Sequence, residues 1–283
     1  MKIPIYQVDA FTDHVFGGNP AAVCPLDAWP PDAVLQSIAL ENNLAETAYF
    51  VRTDPAAADI RWFTPALEIN LCGHATLASA HVLFEHLGLP GGEITFASKS
   101  GPLRATRDTT KPASRGAAGR ITLDFPAYEP APMETPDALV RGLGRRPLET
   151  WRGRDILAVF ATEAEVAAIE PDFAAIATLD CIGVIATAPG AVTAEPQRGM
   201  AAPGSTCDFV SRFFAPRAGV PEDPVTGSAH TLLVPYWARR LGKTTFHAVQ
   251  VSRRRGDLFC ELRDGRVLMA GTAVTFLRGE IEF

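Results

Sequence analysis

The sequence predicts an α+β fold of two pseudo-symmetric halves, each a mostly antiparallel curled sheet or barrel around one central helix. Three observations carry this expectation. A motif recurs about 150 positions apart, each copy leads into a helix-length run without a formal charge, and the intervening segments read as short strands.

The first copy reads Trp62-Phe63-Thr64-Pro65, Glu68, Cys72-Gly73-His74-Ala75, then an apolar run to Leu87-Gly88. The second reads Phe213-Phe214-Ala215-Pro216, Glu222-Asp223, Thr226-Gly227-Ser228-Ala229, then an apolar run to Leu241-Gly242. Gly73 and Gly88 are fifteen positions apart, and so are Gly227 and Gly242. Equal spacing between matched glycines points to one supersecondary unit used twice. Neither run carries an Asp, Glu, Lys or Arg between Glu68 and Glu85 or between Asp223 and Arg239. A helix without a charged face has to be surrounded by protein.

In chain order, Met1–Asp9 alternates as a strand, and 31–40 reads as a helix with Pro31 and Asp32 in its first turn. The first charge-free helix ends at Gly88, suited to the left-handed position that closes a helix. Thr- and Gly-rich 107–120 is a loop tip, and 121–125 is a strand. The partner of the 31–40 helix is expected at 163–178, followed by a strand over 182–186. Pro235 predicts a kink or a late start in the second charge-free helix, because proline removes a hydrogen bond there. Arg239 and Arg240 complement its C-terminal dipole. Arg253-Arg254-Arg255-Gly256-Asp257 reads as a hairpin end, and 267–274 as one strand. The boundary falls near 118–130. The halves are then 1–125 and 126–283, with the terminal strand free to cross back to the first half.

With 283 residues, 47% hydrophobic and 20% charged, the chain suits a soluble globular protein with room for two domains. A net charge of −6 gives no reason to expect nucleic acid or an anionic membrane as partner. No targeting segment or bilayer-spanning run is evident. Five scattered cysteines, at 24, 72, 181, 207 and 260, read as reduced thiols, so a cytoplasmic location is expected.

Common site signatures fail. There is no Gly-x-Gly-x-x-Gly for a dinucleotide and no Gly-x-Ser-x-Gly elbow. Gly242-Lys243-Thr244 ends like a phosphate loop, but Trp237 stands where that motif needs glycine. Cys72-Gly73-His74 lacks further ligands at zinc spacing, so no metal is expected.

Chemistry concentrates at the two repeat loops. Gly73 and Gly227 sit at helix N-termini, whose unpaired N–H groups favour a carboxylate. His74, Asp223 and Ser228 are polar groups in apolar surroundings. Singly, His74 and Ser228 could be helix caps; at matched places in a repeat they read as functional. Glu46 stands where a helix hands over to the apolar run Thr47–Val51. A carboxylate at such a place can be partly buried, which suits a general acid/base.

Asn43-Leu44-Ala45-Glu46-Thr47, Phe63-Thr64-Pro65, Cys72-Gly73-His74-Ala75-Thr76 and Glu222-Asp223-Pro224-Val225-Thr226-Gly227-Ser228-Ala229-His230 together resemble the phenazine-biosynthesis PhzF-like family. The likeness extends from Val8-Asp9-Ala10-Phe11 and Gly18-Asn19-Pro20 to Gly271-Thr272-Ala273-Val274. It implies the fold of diaminopimelate epimerase, no cofactor and a homodimer. It also implies that Glu46 is the acid/base. In the family's named member the matching glutamate moves a proton between ring carbons of trans-2,3-dihydro-3-hydroxyanthranilate. The positions matching His74, Asp223 and Ser228 line the pocket, and Gly73 and Gly227 offer it N–H groups. The long 107–120 loop and the Arg253–Arg255 run depart from the family pattern.

One comparison within the sequence separates this from the epimerase branch. Two-base racemases of this fold need a thiol in each repeat loop; Cys72 fills the first place, but Thr226 stands in the second. A hydroxyl is far too weak an acid to replace a thiolate, so a route through Glu46 is favoured and Cys72 is read as structural. Cys72, Gly73, Thr226 and Gly227 are expected to border the substrate. The expected function is isomerisation of a small cyclic or amino-acid-derived carboxylate. The alternatives are an amino-acid epimerase using Cys72, and a non-catalytic binding protein that retains the pocket.

Overall fold

A computed structural model of the chain describes residues 1–108, 119–190 and 207–283. The expected loop tip 107–120 therefore lies mostly outside the described residues. Contacts divide the chain into two units, 1–125 with 268–283, and 126–267.

In the first unit β1 (Lys2–Ala10) pairs antiparallel with β2 (Asn19–Leu26), and α1 (Asp32–Asn42) follows. Next come β3 (Glu46–Asp54), β4 (Ala57–Phe63), β5 (Glu68–Ile69), α2 (Gly73–Glu85), β6 (Glu93–Ser98), β7 (Gly101–Arg107) and β8 (Ile121–Pro126). β2 runs parallel to β3 and β4 parallel to β6. The pairs β3–β4, β4–β5, β6–β7 and β7–β8 are antiparallel.

The second unit opens with β9 (Ala131–Pro132), α3 (Asp137–Leu143), β10 (Glu149–Arg152) and β11 (Ile156–Val159). Then follow α4 (Glu163–Ala167), α5 (Phe173–Ala177), β12 (Val184–Pro189), β13 (Phe209–Ala215) and β14 (Val220–Asp223). It closes with α6 (Gly227–Leu241), β15 (Thr245–Gln250) and β16 (Gly256–Arg263). β11–β12 and β13–β15 are parallel; β12–β13, β13–β14 and β15–β16 are antiparallel. The pairing is thus mixed in both units, with antiparallel pairs in the majority and two parallel pairs in each. Each parallel pair is joined through helix, because parallel neighbours require a crossover connection.

Burial follows the charge pattern. Every residue of α2 from Gly73 to Phe84 is buried, against β1, β2 and β3. All of Gly227–Trp237 in α6 is buried except half-buried Ser228. α6 neither starts late nor breaks at Pro235. The carbonyl of Thr231, which a donor at 235 would have met, accepts the Tyr128 N–H instead at 3.0 Å. A loop thus replaces the missing helical donor. Gly242 ends α6 with φ 64°. Gly88 takes the same sign at φ 64°, and the Leu89 N–H reaches back to the Leu83 carbonyl at 3.0 Å. α2 itself ends earlier, at Glu85 with a right-handed cap at His86, so the left-handed Gly88 turns the chain after the helix rather than closing it.

Two further expectations need correction. The 163–178 helix is two helices, α4 and α5, separated around Pro171, which disfavours helical backbone at the residue before it. The 267–274 strand is broken at Thr272 into β17 (Arg266–Gly271) and β18 (Ala273–Glu282). A Cβ on Gly271 would stand 2.4 Å from the Phe11 ring, so only glycine permits that approach. The terminal strand crosses back to the first unit, as the sequence left open: the second unit ends at Val267, and β18 pairs with β1 from Lys2↔Glu282 to Ala10↔Ala273. Among the described residues no helix is long and apolar enough to cross a membrane.

Each repeat also carries a clamp. Arg61 on β4 grips Glu68 on β5 with two hydrogen bonds of 2.8 and 2.9 Å. Arg212 on β13 grips Glu222 on β14 with bonds of 2.7 and 2.9 Å. Each guanidinium also lies over the ring two residues on, Phe63 or Phe214. The two-pronged fork fixes orientation as well as distance. It holds the turn that feeds the buried helix.

The close fit of α2 is testable. Ala78→Leu adds three carbons at a position with no exposed surface and should lower stability by about 1–3 kcal/mol. A urea midpoint that falls with an unchanged slope would report it.

Candidate active site

Glu46 is the first residue of β3, and it follows a turn in which Asn43 closes α1 with φ 48°. Parallel pairing sets Glu46 opposite Ala21 of β2 and near Asn19, the first residue of that strand. His74 is the second residue of α2, preceded by Cys72 at the N-cap. These segments converge. Glu46 Oε2 lies 3.1 Å from His74 Nε2, with side chains only 11% and 4% exposed. Asn19 Nδ2 stands 3.1 Å from His74 Nδ1, and Cys72 Sγ stands 3.5 Å from the same nitrogen.

The Glu46–His74 contact has ion-pair distance but not hydrogen-bond alignment, so among the described residues Oε2 and Nε2 remain uncommitted. Burial opposes a charged His74 imidazole, but the Cys72 sulfur and the Glu46 carboxylate outweigh it and raise the His74 pKa well above the usual value. Burial pushes the Cys72 thiol up, and the neighbouring Glu46 charge adds to the effect. A thiol so placed is a poor source of thiolate.

One carboxylate oxygen, the Cys72 sulfur and a His74 nitrogen lie within 4.8 Å of one another. The third donor that Cys72-Gly73-His74 lacks in sequence is therefore Glu46. Such a set suits a borderline-soft cation. The ring, however, turns Nδ1 to the sulfur and Nε2 to the carboxylate. A single ion would meet all three only after the ring rotated, and the arrangement as it stands suits proton transfer better.

In the second unit Asp223 ends β14, Thr226 is the N-cap of α6, and Gly227 and Ser228 open that helix. Neither Cys72 nor Thr226 makes a side-chain cap to its helix. Thr226 Oγ1 instead donates to Asp223 Oδ2 at 2.5 Å. The turn is stapled by Gln250, fully buried on β15. Its Oε1 accepts the Thr226 N–H at 2.8 Å, and its Nε2 donates to the Asp223 carbonyl at 2.7 Å. Burial lowers the His230 pKa to about 4. The neutral ring then donates its Nδ1 proton to the Thr226 carbonyl at 2.8 Å.

The structure thus gathers Glu46, Cys72, Gly73 and His74 in one unit, and Asp223, Thr226, Gly227 and Ser228 in the other. Asn19 and Gln250 were not singled out as site residues from sequence. Asn19 follows Gly17-Gly18, and a Cβ on Gly18 would meet the Ala10 carbonyl oxygen at 2.1 Å. That paired glycine is the trace a tight turn leaves in sequence. Gln250 leaves none, since it looks like any polar residue closing a strand.

Comparison with known proteins follows the same lines. The sequence profile of the family of phenazine biosynthesis-like proteins matches residues 8–279. A protein named an uncharacterized isomerase, from Pseudomonas aeruginosa, is 47% identical over 281 residues, covering 99% of each chain. The crystal structure of a PhzF-family phenazine biosynthesis protein from Enterococcus faecalis matches with TM-score 0.89 at 44% identity, covering 100% of each chain. A "predicted epimerase" of Pseudomonas aeruginosa matches with TM-score 0.71 at 21% identity over 99% of each chain, a likeness of fold alone.

Two measurements check this geometry. Burial holds both His230 and His81 down at about 4, whereas an unfolded imidazole titrates near 6.5. The unfolded chain therefore binds more protons between these values. Stability present above about pH 6.5 should be lost as pH falls towards 4, by about 2–3 kcal/mol for each ring. Denaturant titrations across that window should show the slope, reduced in His230→Gln. Separately, Gln250→Leu leaves the buried Thr226 N–H without an acceptor and should cost about 1–3 kcal/mol, read as a lower unfolding midpoint.

Proposed function

The chain belongs to the phenazine biosynthesis-like family, and from that membership together with the Glu46–His74 geometry we propose that it is an isomerase acting on a small carboxylate. The observation that carries this reading is a buried carboxylate 3.1 Å from a buried imidazole, with neither facing atom committed to a hydrogen bond among the described residues. An uncommitted carboxylate oxygen can accept a proton from carbon and return it at another carbon on the same face. His74, held by Asn19 and charged more readily than an ordinary imidazole, offsets the negative charge that grows on the substrate as the proton leaves.

Asp223 and Ser228 take the part of substrate-holding groups in the second unit. Asp223 receives an amine or hydroxyl, and Ser228 with the Gly227 helix terminus receives a carboxylate. In the first unit Gly73 has the corresponding part. Cys72 and Thr226 border the substrate without exchanging protons. Supporting this, the Cys72 thiol is pushed up by burial and the Thr226 hydroxyl is already donating to Asp223. Two thiol-like bases, as an epimerase would need, are not supplied. A carboxylate and an imidazole suffice as proton carriers, so the reading needs no cofactor.

The matched strand pairings and matched Arg–Glu clamps support reading the units as two copies of one ancestral element, each sheet curled about its buried helix. A homodimer in the cytoplasm is proposed on family resemblance and on reduced cysteines. The nearest chemical precedent that the resemblance offers is isomerisation of trans-2,3-dihydro-3-hydroxyanthranilate.

The test is proton exchange in heavy water across a panel of small cyclic and amino-acid-derived carboxylates, followed by NMR. Glu46→Gln should slow exchange by about 10³-fold or more while ligand affinity stays within a few-fold. Cys72→Ser should stay within about tenfold of the parent, well short of the loss expected for an essential proton carrier. Exchange in Glu46→Gln comparable to the parent would sink the proposal. Loss of exchange in Cys72→Ser alone would transfer the role to the thiol.

A further inference from the structure

We infer that the second unit carries an anion-binding site for a small phosphate monoester, at a cavity that shares no lining residue with the candidate active site. The cavity is about 450 Å³, within the range of small-molecule pockets. Three tips of chain build it: Arg152 and Arg154 at the turn between β10 and β11, Asp180, Cys181 and Ile182 before β12, and Arg217 with Ala218 after β13.

Three guanidiniums converge there, and their partners are few. Asp180 lies 3.8 Å from Arg152 and 4.0 Å from Arg217, with its side chain fully exposed. These distances exceed the 2.7–2.9 Å or so of a hydrogen-bonded charge pair, and an exposed pair of that kind contributes little. Among the described residues the Arg152 guanidinium makes no hydrogen bond, and that of Arg217 makes one, to the Leu179 carbonyl at 2.8 Å. Arg154 is better held. Its Nε meets Asp155 Oδ2 at 3.3 Å, and Asp155, fully buried, also accepts the Gly183 N–H. Asp180 thus occupies the middle of two arginines without satisfying either.

The chemistry of the ligand follows from the shape. A carboxylate serves one planar fork well, whereas a tetrahedral dianion directs oxygens to several forks at once. The apolar lining, with Ile182 half exposed and Ala218 beside it, suits a compact hydrophobic group on the ester. The tips are fixed in advance by packing. A Cβ on Gly153 would fall 2.3 Å from Leu232 Cδ2, and one on Gly183 would fall 2.3 Å from the Phe213 ring.

Cys181 supplies a reporter, since it is half-buried in the cavity lining while the other four cysteines are buried. In the full chain, N-ethylmaleimide labelling of Cys181 is followed by peptide mass spectrometry with phenyl phosphate, inorganic phosphate, benzoate, or chloride at matched ionic strength. Phenyl phosphate should slow labelling about tenfold or more, inorganic phosphate less, and benzoate and chloride hardly at all. Arg152→Gln combined with Arg217→Gln should raise the half-protecting concentration about tenfold or more. Asp180→Asn, a surface change that leaves folding alone, should lower it several-fold by removing the competing carboxylate. Equal protection by chloride, no protection by phenyl phosphate, or protection unaltered in the double variant would each overturn the site. If the double variant does not fold, Asp180→Asn decides: binding that is unchanged or weaker rejects the inference.

Discussion

A helix with no charged face cannot lie at a surface, and most of this structure is arranged around that constraint. α2 and α6 each have to be covered by strands of their own unit. The crossovers made by these helices force the parallel pairs β4–β6 and β13–β15 into otherwise antiparallel surroundings. Burial reaches the first turn, so polar residues there leave water as well. Thr76 and Ser79 return their hydroxyls to carbonyls four residues back, at 2.5 and 2.7 Å. His74 cannot satisfy itself in this way. It depends on Asn19 and Glu46 from elsewhere in the chain, and a buried imidazole beside a buried carboxylate is the result.

The two repeats keep the parts that fix geometry and differ in the parts that carry chemistry. Both retain an arginine directly before the aromatic pair, a glutamate gripped by it, and a glycine opening the helix. Removing one partner of a largely desolvated ion pair leaves a charge without compensation, which costs more than the pair contributes. The clamps therefore tolerate little drift. The positions just beyond them are free of that restraint: Cys72 is matched by Thr226, and His74 by Ser228.

The legible parts of the fold were local ones. Equal glycine spacing located both helices and the left-handed end of α6 at Gly242, and the absence of charge foretold their burial; α2 stops short of Gly88, on a right-handed cap at His86. Glycines 73 and 227 were placed at helix starts, where the structure has them. What sequence did not reveal depends on partners far along the chain. The Tyr128 donor that spares α6 a break at Pro235, the Gln250 staple under Asp223 and Thr226, and the Asn19 contact to His74 each join segments with no shared local pattern. The parallel pairings were missed for a related reason, since strand direction is set by the connecting element. Pro171 is the visible mark within 163–178: it divides the segment into α4 and α5, and Asp172 caps the second of them.

The unequal first turns of the two helices bear directly on mechanism. In the first unit a carboxylate oxygen and an imidazole nitrogen face each other without a hydrogen bond, so either can change protonation without breaking one. In the second unit the groups of the turn at Asp223 and Thr226 are engaged, and of the side chains that hold this turn only His230 Nε2, on the far side of its ring, has no partner among the described residues. Thr226 donates to Asp223, Gln250 bonds both the Asp223 carbonyl and the Thr226 amide, and neutral His230 holds the Thr226 carbonyl. A network satisfied to that degree resists any change of proton count, because each transfer would strand a buried donor or acceptor. It is suited to holding a ligand in one orientation. On the proposed function, a proton delivered and recovered on one face needs one mobile group, and within the first unit the Glu46 carboxylate facing His74 has the freedom to be that group.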